Sequence, residues 1–229
     1  GRNRSLQLNN KMSMETKSKE KINLMGLNKQ ALEDFFISLD EKPFRATQII
    51  KWIHQRGVSD ISQMTDLSKN LREKLMDKCG IRVPEVVYEK TSKDGTKKWV
   101  IKVGEKDLIE MVLIPEKNRS TLCVSSQVGC AVDCSFCATG KQGFSRNLGL
   151  DEIIGQVWVA ANSFGLPREP NSRHITNVVM MGMGEPLLNF EPVVGAMNLM
   201  TDDNAYGLSK RKVTLSTSGI VPKIDELSK

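Results

Sequence analysis

The sequence predicts an α/β protein in which part of a parallel barrel of strand–helix units follows a small helical domain and a short antiparallel sheet. Three observations predict this order. Apolar residues recur with helical spacing in residues 23–83, alternate with the period of a strand in residues 84–120, and form three successive strand–helix units in residues 121–229. Strands that alternate with helices indicate a parallel sheet with the helices outside it.

Residues 1–22 form a polar N-terminal segment. It holds six lysines and arginines against two glutamates, so it carries most of the net charge of +6. Its composition predicts disorder, and its charge suits a polyanionic partner, of which RNA is the usual one. A solubilising tail without any partner explains the same charge.

Residues 23–83 have the pattern of a small helical domain. Asn28 is the predicted N-cap of a first helix, and a second helix covers about residues 45–55. Gly57 stands where a C′ glycine ends a helix. A further helix is predicted over residues 68–78.

Residues 84–120 predict three short strands, VVYEKTS, KKWVIKV and LIEMVLI. Asp94-Gly95 between the first two is a strong hairpin signal. We therefore expect a small antiparallel sheet that connects the helical domain to the residues after it.

Residues 121–229 predict the strands TLCVSSQV, ITNVVMMGMG and RKVTLSTSG, each followed by a helix. Three parallel strand–helix units by themselves would leave two exposed sheet edges, which is unfavourable. We therefore expect this polypeptide to be the N-terminal part of a longer protein.

Composition narrows the class of protein. No apolar run reaches the roughly 18 to 20 residues that cross a bilayer, and the first residues lack the apolar middle of a signal peptide. We expect a cytoplasmic protein that does not act at a membrane. Its five cysteines are an odd number, and in a reducing compartment their clustering favours metal binding or catalysis over a disulfide framework.

The stretch TLCVSSQVGCAVDCSFCATG contains four of the five cysteines. Cys130, Cys134 and Cys137 have the spacing C-x3-C-x2-C, and Phe136 precedes the last of them. Thiolates bind zinc or the iron of an iron–sulfur cluster. Three thiolates would leave one iron of a cluster without a protein ligand and free to bind a small molecule. The alternatives are buried structural cysteines, or a zinc site completed by Cys123 or His174.

The cysteine motif resembles that of the radical S-adenosylmethionine (SAM) superfamily. Three longer stretches, QVGCAVDCSFCATGKQGFSRNL, VVMMGMGEPLLN and KRKVTLSTSG, resemble the dual-specificity RNA methyltransferase family within it, and so do EKPFRATQIIKWI, MTDLS and IPEKNRSTLCVSSQVGC. The resemblance covers residues 22 to 229. It implies a radical-SAM barrel with about three of its six strand–helix units present, and methylation of carbon 2 of an adenine in 23S rRNA and in tRNAs.

The resemblance implies which residues bind the cofactors. Cys130, Cys134 and Cys137 would hold a 4Fe–4S cluster whose open iron chelates SAM. Gly184-Glu185-Pro186 and Ser216 match SAM contacts of the family. A glycine at a strand end lets backbone approach a ligand closely, and a carboxylate can bind an ammonium group. By pattern alone, these residues would be an ordinary turn and an ordinary strand serine.

The resemblance also implies a covalent route. One SAM methylates a cysteine near the C-terminus, a radical derived from a second SAM activates that methyl group, and the carbon radical adds to the adenine. Glu110, which lies among apolar neighbours that would favour its acting as a base, would accept the proton. Cys123 would release the product by forming a disulfide with the methyl-carrying cysteine. By pattern alone, Glu110 would be a solvent-facing strand residue.

One part of this route is missing from the sequence. No cysteine follows Cys137, and Cys79 in the helical domain does not match the methyl-carrying cysteine. We therefore expect that this 229-residue chain does not methylate RNA by itself. A reducing electron donor is implied as a partner, and a monomer is expected.

The helical domain resembles the accessory RNA-binding domain of the same family. Candidate phosphate contacts are Arg45, Lys51 and Arg56 in that domain and Lys141 and Arg146 after the cysteines. Two other functions fit parts of the pattern. They are methylation of carbon 8 of the same adenine, which uses the same cysteine spacing, and a zinc-stabilised RNA-binding module without catalysis.

Overall fold

The computed structural model describes residues 21–132, 134–165 and 174–228. The strands are β1 (Ile22–Asn23), β2 (Cys79–Gly80), β3 (Glu85–Thr91), β4 (Lys97–Val103), β5 (Asp107–Glu116), β6 (Arg119–Cys123), β7 (Gln127–Gly129), β8 (Phe144–Asn147), β9 (Asn177–Met180) and β10 (Val213–Leu215). The α-helices are α1 (Lys29–Ser38), α2 (Arg45–Ile50), α3 (Lys69–Lys78), α4 (Leu150–Asn162), α5 (Phe190–Thr201) and α6 (Val221–Leu227). The predicted basic segment lies almost wholly outside the described residues.

One mixed sheet of six strands, in the order β10-β9-β6-β5-β4-β3, dominates the structure. Strands β6, β9 and β10 are parallel, and β3 to β6 are antiparallel neighbours. The predicted strands are therefore present, but the antiparallel strands are not a separate connecting sheet. Because β5 pairs with β6, an antiparallel strand covers one side of the parallel part, and the expectation of two exposed parallel edges was wrong.

The two faces of this sheet differ in burial. Leu122 and Val178 pair across β6 and β9 and lie in one hydrophobic core with apolar residues of α4 and α5. On the opposite face, Val112, Cys123 and Val179 pair in a row and are half-buried. We call this second side the open face.

The helical domain has the predicted local signals. The Asn28 side chain accepts a hydrogen bond from the Ala31 amide at 2.9 Å, which caps α1. The second helix continues beyond α2 as one π-helical segment, Lys51–Gln55, and Gly57 follows it with φ +70°. Ile22, which was assigned to the N-terminal segment, instead pairs with Cys79 of β2.

The helical domain packs directly on the α/β part. The Trp158 indole donates to the Ile53 carbonyl at 2.9 Å, and the Asn162 side chain donates to the Gly57 carbonyl at 3.0 Å. Apolar residues of both parts belong to one continuous core. The two parts therefore have a fixed relation to each other. Within the described ranges, no helix is long and apolar enough to span a membrane.

Candidate active site

The loops after β6, β9 and β10 meet at the carboxyl ends of these parallel strands, where α/β enzymes place their ligands. The run TLCVSSQV, predicted as one strand, is divided in two. Strand β6 ends at Cys123, and Gln127 begins β7, which pairs with β8 instead of with the main sheet. The cysteine motif forms the loop between β7 and β8, so this small ladder holds both ends of the motif.

The three motif cysteines occupy a turn-rich loop. The Cys130 amide donates to the Gly143 carbonyl at 3.1 Å, which closes the loop at its base, and the Cys137 amide donates to the Cys134 carbonyl at 3.0 Å. All three thiols are half-buried. Phe136 between them is 92% exposed, so the tip of the loop faces solvent.

The donor set of this loop fits an iron–sulfur cluster by its chemistry. All five cysteines are free thiols. Hydrogen bonds from the Gly140 and Thr139 amides lower the pKa of Cys137, which favours the thiolate that binds metal. In the described part of the chain, no three Cys, His, Asp or Glu side chains lie close enough together to hold a metal ion. Neither the cluster ligands nor the alternative zinc site with Cys123 or His174 is therefore assembled.

Glu185 is the most buried of the predicted SAM-binding residues Gly184, Glu185 and Ser216. It is 4% exposed, and its carboxylate accepts the Ser218 amide at 2.7 Å and the Leu187 amide at 3.0 Å. Burial alone would raise the pKa of Glu185, but these hydrogen bonds outweigh it and hold the pKa below its ordinary value. The group is therefore a carboxylate at neutral pH. Because Ser218 follows β10, Glu185 also joins two of the strand-end loops.

Gly184 has a packing reason to be glycine. Its φ is +97°, and a Cβ at this position would lie 2.5 Å from the Cβ of Gln127 and 2.8 Å from its backbone nitrogen. This glycine was expected from the sequence to permit close approach of a ligand. In the structure, β7 also approaches it closely. Ser216 is exposed directly after β10, in the loop that contains Ser218.

Cys123 is the last residue of β6 and faces the open side of the sheet. Burial raises the pKa of the Cys123 thiol, and a hydrogen bond from the Met181 amide offsets this only in part. The side chain is therefore a thiol at neutral pH. Cys123 stands outside the cysteine loop, which is consistent with a role other than ligand.

Glu110 lies on the same open face, one pleat along β5 from Val112, the partner of Cys123. Of the apolar surroundings expected from the sequence, Ile109 and Met111 point to the opposite, buried face, whereas Val112 and the cross-strand partner Val100 share the face of Glu110. The Glu110 side chain is 51% exposed and forms an ion pair of 2.7 Å with Lys98.

Arg146 is not available for RNA in the way expected from the sequence. Its guanidinium donates to Asp107 at 2.7 Å and to both carboxylate oxygens of Glu152 at 2.7 and 2.9 Å. These partners, Glu152 above all, raise its pKa. Arg146 therefore holds β8 against β5 and α4. Lys141, by contrast, is exposed in the cysteine loop.

The candidate phosphate contacts in the helical domain also differ in how exposed they are. Lys51 is exposed, and Arg56 is exposed and lies 3.9 Å above the Trp52 ring. Arg45 is half-buried and donates to the Gln48 side chain at 2.8 Å.

Sequence reasoning missed a buried polar cluster beneath the cysteine loop. Its members share very low exposure and lie within apolar runs: Ser125, Ser126, Gln127, Gln156, Glu185 and Asn189. Of these, only Glu185 was singled out. Polar residues inside otherwise apolar segments were the available signal, since such residues are buried only with hydrogen-bond partners.

Comparisons with known proteins agree with this geometry. The family model described as "Ribosomal RNA large subunit methyltransferase N-terminal domain" matches residues 22–81, and the model "Radical SAM superfamily" matches residues 124–229. A solved radical SAM methyltransferase from Sphaerobacter thermophilus superposes with a TM-score of 0.79 at 36% identity, over 91% of this chain and 60% of that one. The chain therefore belongs to the radical SAM superfamily.

Curated relatives specify the family within the superfamily. The dual-specificity RNA methyltransferase RlmN of Marinobacter nauticus is 63% identical over 93% of this chain, and that of Marinomonas sp. is 64% identical over 92%. The chain belongs to this dual-specificity RNA methyltransferase family. It spans 57% of the length of each of these two relatives. Membership of the superfamily implies SAM and a 4Fe–4S cluster as cofactors.

Proposed function

We propose that this protein is a radical SAM RNA methyltransferase that methylates carbon 2 of an adenine in 23S rRNA and in tRNAs. The observation that carries the proposal is the placement of three groups at one end of the sheet. The cysteine loop, the Glu185 carboxylate and the open face with Cys123 and Glu110 all lie around the carboxyl ends of β6 and β9. Close sequence relatives supply the substrate class.

Cys130, Cys134 and Cys137 would hold the 4Fe–4S cluster, with SAM at the open iron. When bound, the cluster supplies the electron that cleaves SAM to a 5′-deoxyadenosyl radical. The loop between β7 and β8 contributes three half-buried thiols, and the β7–β8 ladder holds its base. The amides near Cys137 stabilise the thiolate of that residue. An electron donor of low potential is required as a partner.

Gly184, Glu185 and Ser216 would surround SAM. An ionised Glu185 can accept hydrogen bonds from the SAM ammonium in addition to those from the protein backbone, since each carboxylate oxygen accepts more than one. Ser216 is exposed directly after β10, in the loop whose Ser218 amide Glu185 binds. The hydroxyl is thus free to meet a ligand at this edge.

Glu110 would accept the proton released from the adenine, and Cys123 would form the disulfide that frees the product. Both lie on the open face, and Lys98 holds the Glu110 carboxylate at 2.7 Å. The methyl-carrying cysteine has no counterpart among these 229 residues. We therefore propose that this chain alone does not complete the reaction, and that the protein acts as a cytoplasmic monomer.

Anaerobic reconstitution with iron and sulfide tests the proposal. The purified chain should turn brown and take up about four irons, as a 4Fe–4S cluster requires. The matched control replaces Cys130, Cys134 and Cys137 by alanine and should take up none. A colourless protein that instead binds one zinc would refute the radical SAM mechanism and favour a zinc-stabilised RNA-binding module.

The modified nucleoside decides between carbon 2 and carbon 8. For the full-length protein, mass spectrometry of digested RNA should show 2-methyladenosine, and 8-methyladenosine would refute the assignment. With this chain, an adenine-containing rRNA fragment, SAM and reductant should give no product. Turnover would contradict the required methyl-carrying cysteine.

A further inference from the structure

The Gln127 side chain joins the SAM-binding loop to the base of the cysteine loop. Gln127 is 1% exposed. Its carbonyl oxygen accepts the Glu185 amide at 3.0 Å, and its amide nitrogen donates to the Asn147 side chain at 2.8 Å. Gln127 begins β7 and Asn147 ends β8, and these two residues are paired in the ladder. One side chain therefore contacts both strands that hold the cysteines and the loop that holds Glu185.

Packing reinforces this contact. Gly184 approaches Gln127 so closely that a Cβ on the glycine would lie 2.5 Å from the Cβ of Gln127. The Gln127 backbone amide also donates to the Met183 carbonyl at 3.1 Å. The loop after β9 is thus placed by Gln127 through its backbone, its Cβ and its terminal amide.

We infer that Gln127 is a positioning residue, which sets the SAM-binding loop at a fixed distance from the cysteine loop. This inference rests on the proposed function, because it concerns the same SAM site. SAM must reach an iron on one loop and Gly184 and Glu185 on the other, so its affinity depends on the relative placement of the two. A buried amide that bonds both sides specifies that placement better than apolar packing does.

Three features distinguish Gln127 from a merely structural core residue. Its polar atoms contact neither the apolar helix core nor solvent, its two partners lie on different elements (the end of β8 and the loop after β9), and one partner is the backbone amide of Glu185, a predicted SAM-binding residue. Gln156 is the matched comparison. It is also fully buried, but its side chain pairs with the Ser125 backbone at 2.7 and 2.9 Å and reaches neither loop directly.

The first test compares Gln127→Met with Gln156→Met in the reconstituted chain. Both substitutions remove buried hydrogen bonds and should lower the unfolding midpoint. At equal iron content, Gln127→Met should weaken SAM binding about tenfold, since one buried bond is worth roughly that factor. Gln156→Met should leave SAM binding within about twofold. Titration of SAM against the EPR signal of the reduced cluster measures the affinity.

The second test needs neither cluster nor SAM. Hydrogen exchange by mass spectrometry should show faster exchange in peptides that cover residues 181–189 of Gln127→Met, but not of Gln156→Met. Asn147 is exposed, so its variants should fold even if Gln127→Met does not. Both Asn147→Leu and Asn147→Asp lose the bond that the Asn147 amide donates to the Leu188 carbonyl at 3.3 Å. Only Asn147→Leu also removes the acceptor of the Gln127 amide, so it should show a larger part of both effects than Asn147→Asp.

Each outcome is decisive. Unchanged SAM affinity and unchanged exchange in Gln127→Met, or an equal loss in Gln156→Met, would overturn the inference. Equal behaviour of Asn147→Leu and Asn147→Asp would overturn it as well. If the unaltered chain takes up no iron, the proposed function itself fails, and the positioning of a SAM site by Gln127 fails with it. That result is recognised from the unaltered chain alone.

Discussion

Replacing Gly184 by alanine isolates the contact between the SAM-binding loop and β7. The matched control is Gly219→Ala. Gly219 has a similar φ of +105°, against +97° for Gly184, but a Cβ there would meet nothing within 4 Å. Both substitutions therefore introduce a side chain at a left-handed backbone conformation, and only one of them creates a clash.

The expected magnitudes follow from these two terms. A positive φ costs a non-glycine residue about 1–2 kcal/mol. A Cβ at 2.5 Å from the Gln127 Cβ forces the backbone or the Gln127 side chain to move. This movement costs about 1–3 kcal/mol more. Gly219→Ala should therefore lose about 1–2 kcal/mol and Gly184→Ala about 2–5 kcal/mol of unfolding free energy.

Urea unfolding of the chain without cluster, followed by tryptophan fluorescence, measures both losses under identical conditions. The difference between the two variants is the quantity of interest, because the backbone term is common to both. Equal losses would show that the 2.5 Å approach contributes nothing, and the packing explanation of Gly184 would be refuted.

Three further predictions concern charge and thiol chemistry. Glu185→Gln should lose about 1–3 kcal/mol of unfolding free energy at pH 7. Because the pKa of Glu185 is lowered in the folded state, the carboxylate stabilises the protein above the unfolded pKa near 4.3, and this contribution vanishes as the pH falls through the folded pKa. The urea unfolding curves of the unaltered chain and of Glu185→Gln should therefore converge in acid. Iodoacetamide at neutral pH should label Cys137 first and Cys79 last, because the pKa of Cys137 is lowered and that of buried Cys79 is raised to about 12. Equal labelling rates of these two cysteines in the folded chain, without urea, would contradict this. Lys141→Ala should reduce the slope of log RNA affinity against log salt concentration by roughly 0.7 for a single-stranded RNA, whereas Arg146→Ala should leave that slope unchanged. Filter binding measures the slopes, and equal slopes for the two variants would show that Lys141 and Arg146 do not differ in RNA contact.

Local signals in the sequence were sufficient to predict most of the helices and strands. Asn28 caps α1 and Gly57 ends the second helix because each requirement involves residues within one turn. The hairpin at Asp94-Gly95 forms for the same reason, with the Asp94 carboxylate accepting the Thr96 amide at 3.0 Å. Predictions of this kind need no knowledge of the rest of the chain.

Strand pairing was predicted less well because it depends on distant residues. The antiparallel strands were recognised, but their union with the parallel strands requires Val112 to pair with Cys123 and Cys123 with Val179. The separate ladder of β7 and β8 was missed, since apolar periodicity continues from TLCVS into SQV without a break. Only the pairing partner shows that the strand changes sheet.

Glu110 shows how a sequence argument can select a residue for the wrong physical reason. Its neighbours in the chain are apolar, but neighbours on a strand point to opposite faces. On its own face lie Lys98, which forms the ion pair, and the half-buried Val100 and Val112, and the side chain remains 51% exposed. A base at this position would therefore depend on an ion pair that the sequence pattern does not reveal, and not on burial.

Gln127 illustrates the complementary limit. Its partners Asn147 and Glu185 lie 20 and 58 residues away in the chain, so no local pattern connects them. A glutamine inside an apolar run is unfavourable unless something satisfies its amide, and that was the only signal. The motif residues around it were recognised from the cysteine spacing and from Gly184-Glu185. Because a cofactor that contacts two loops depends on the distance between them, a buried side chain that bonds both loops contributes to such a site without touching the cofactor.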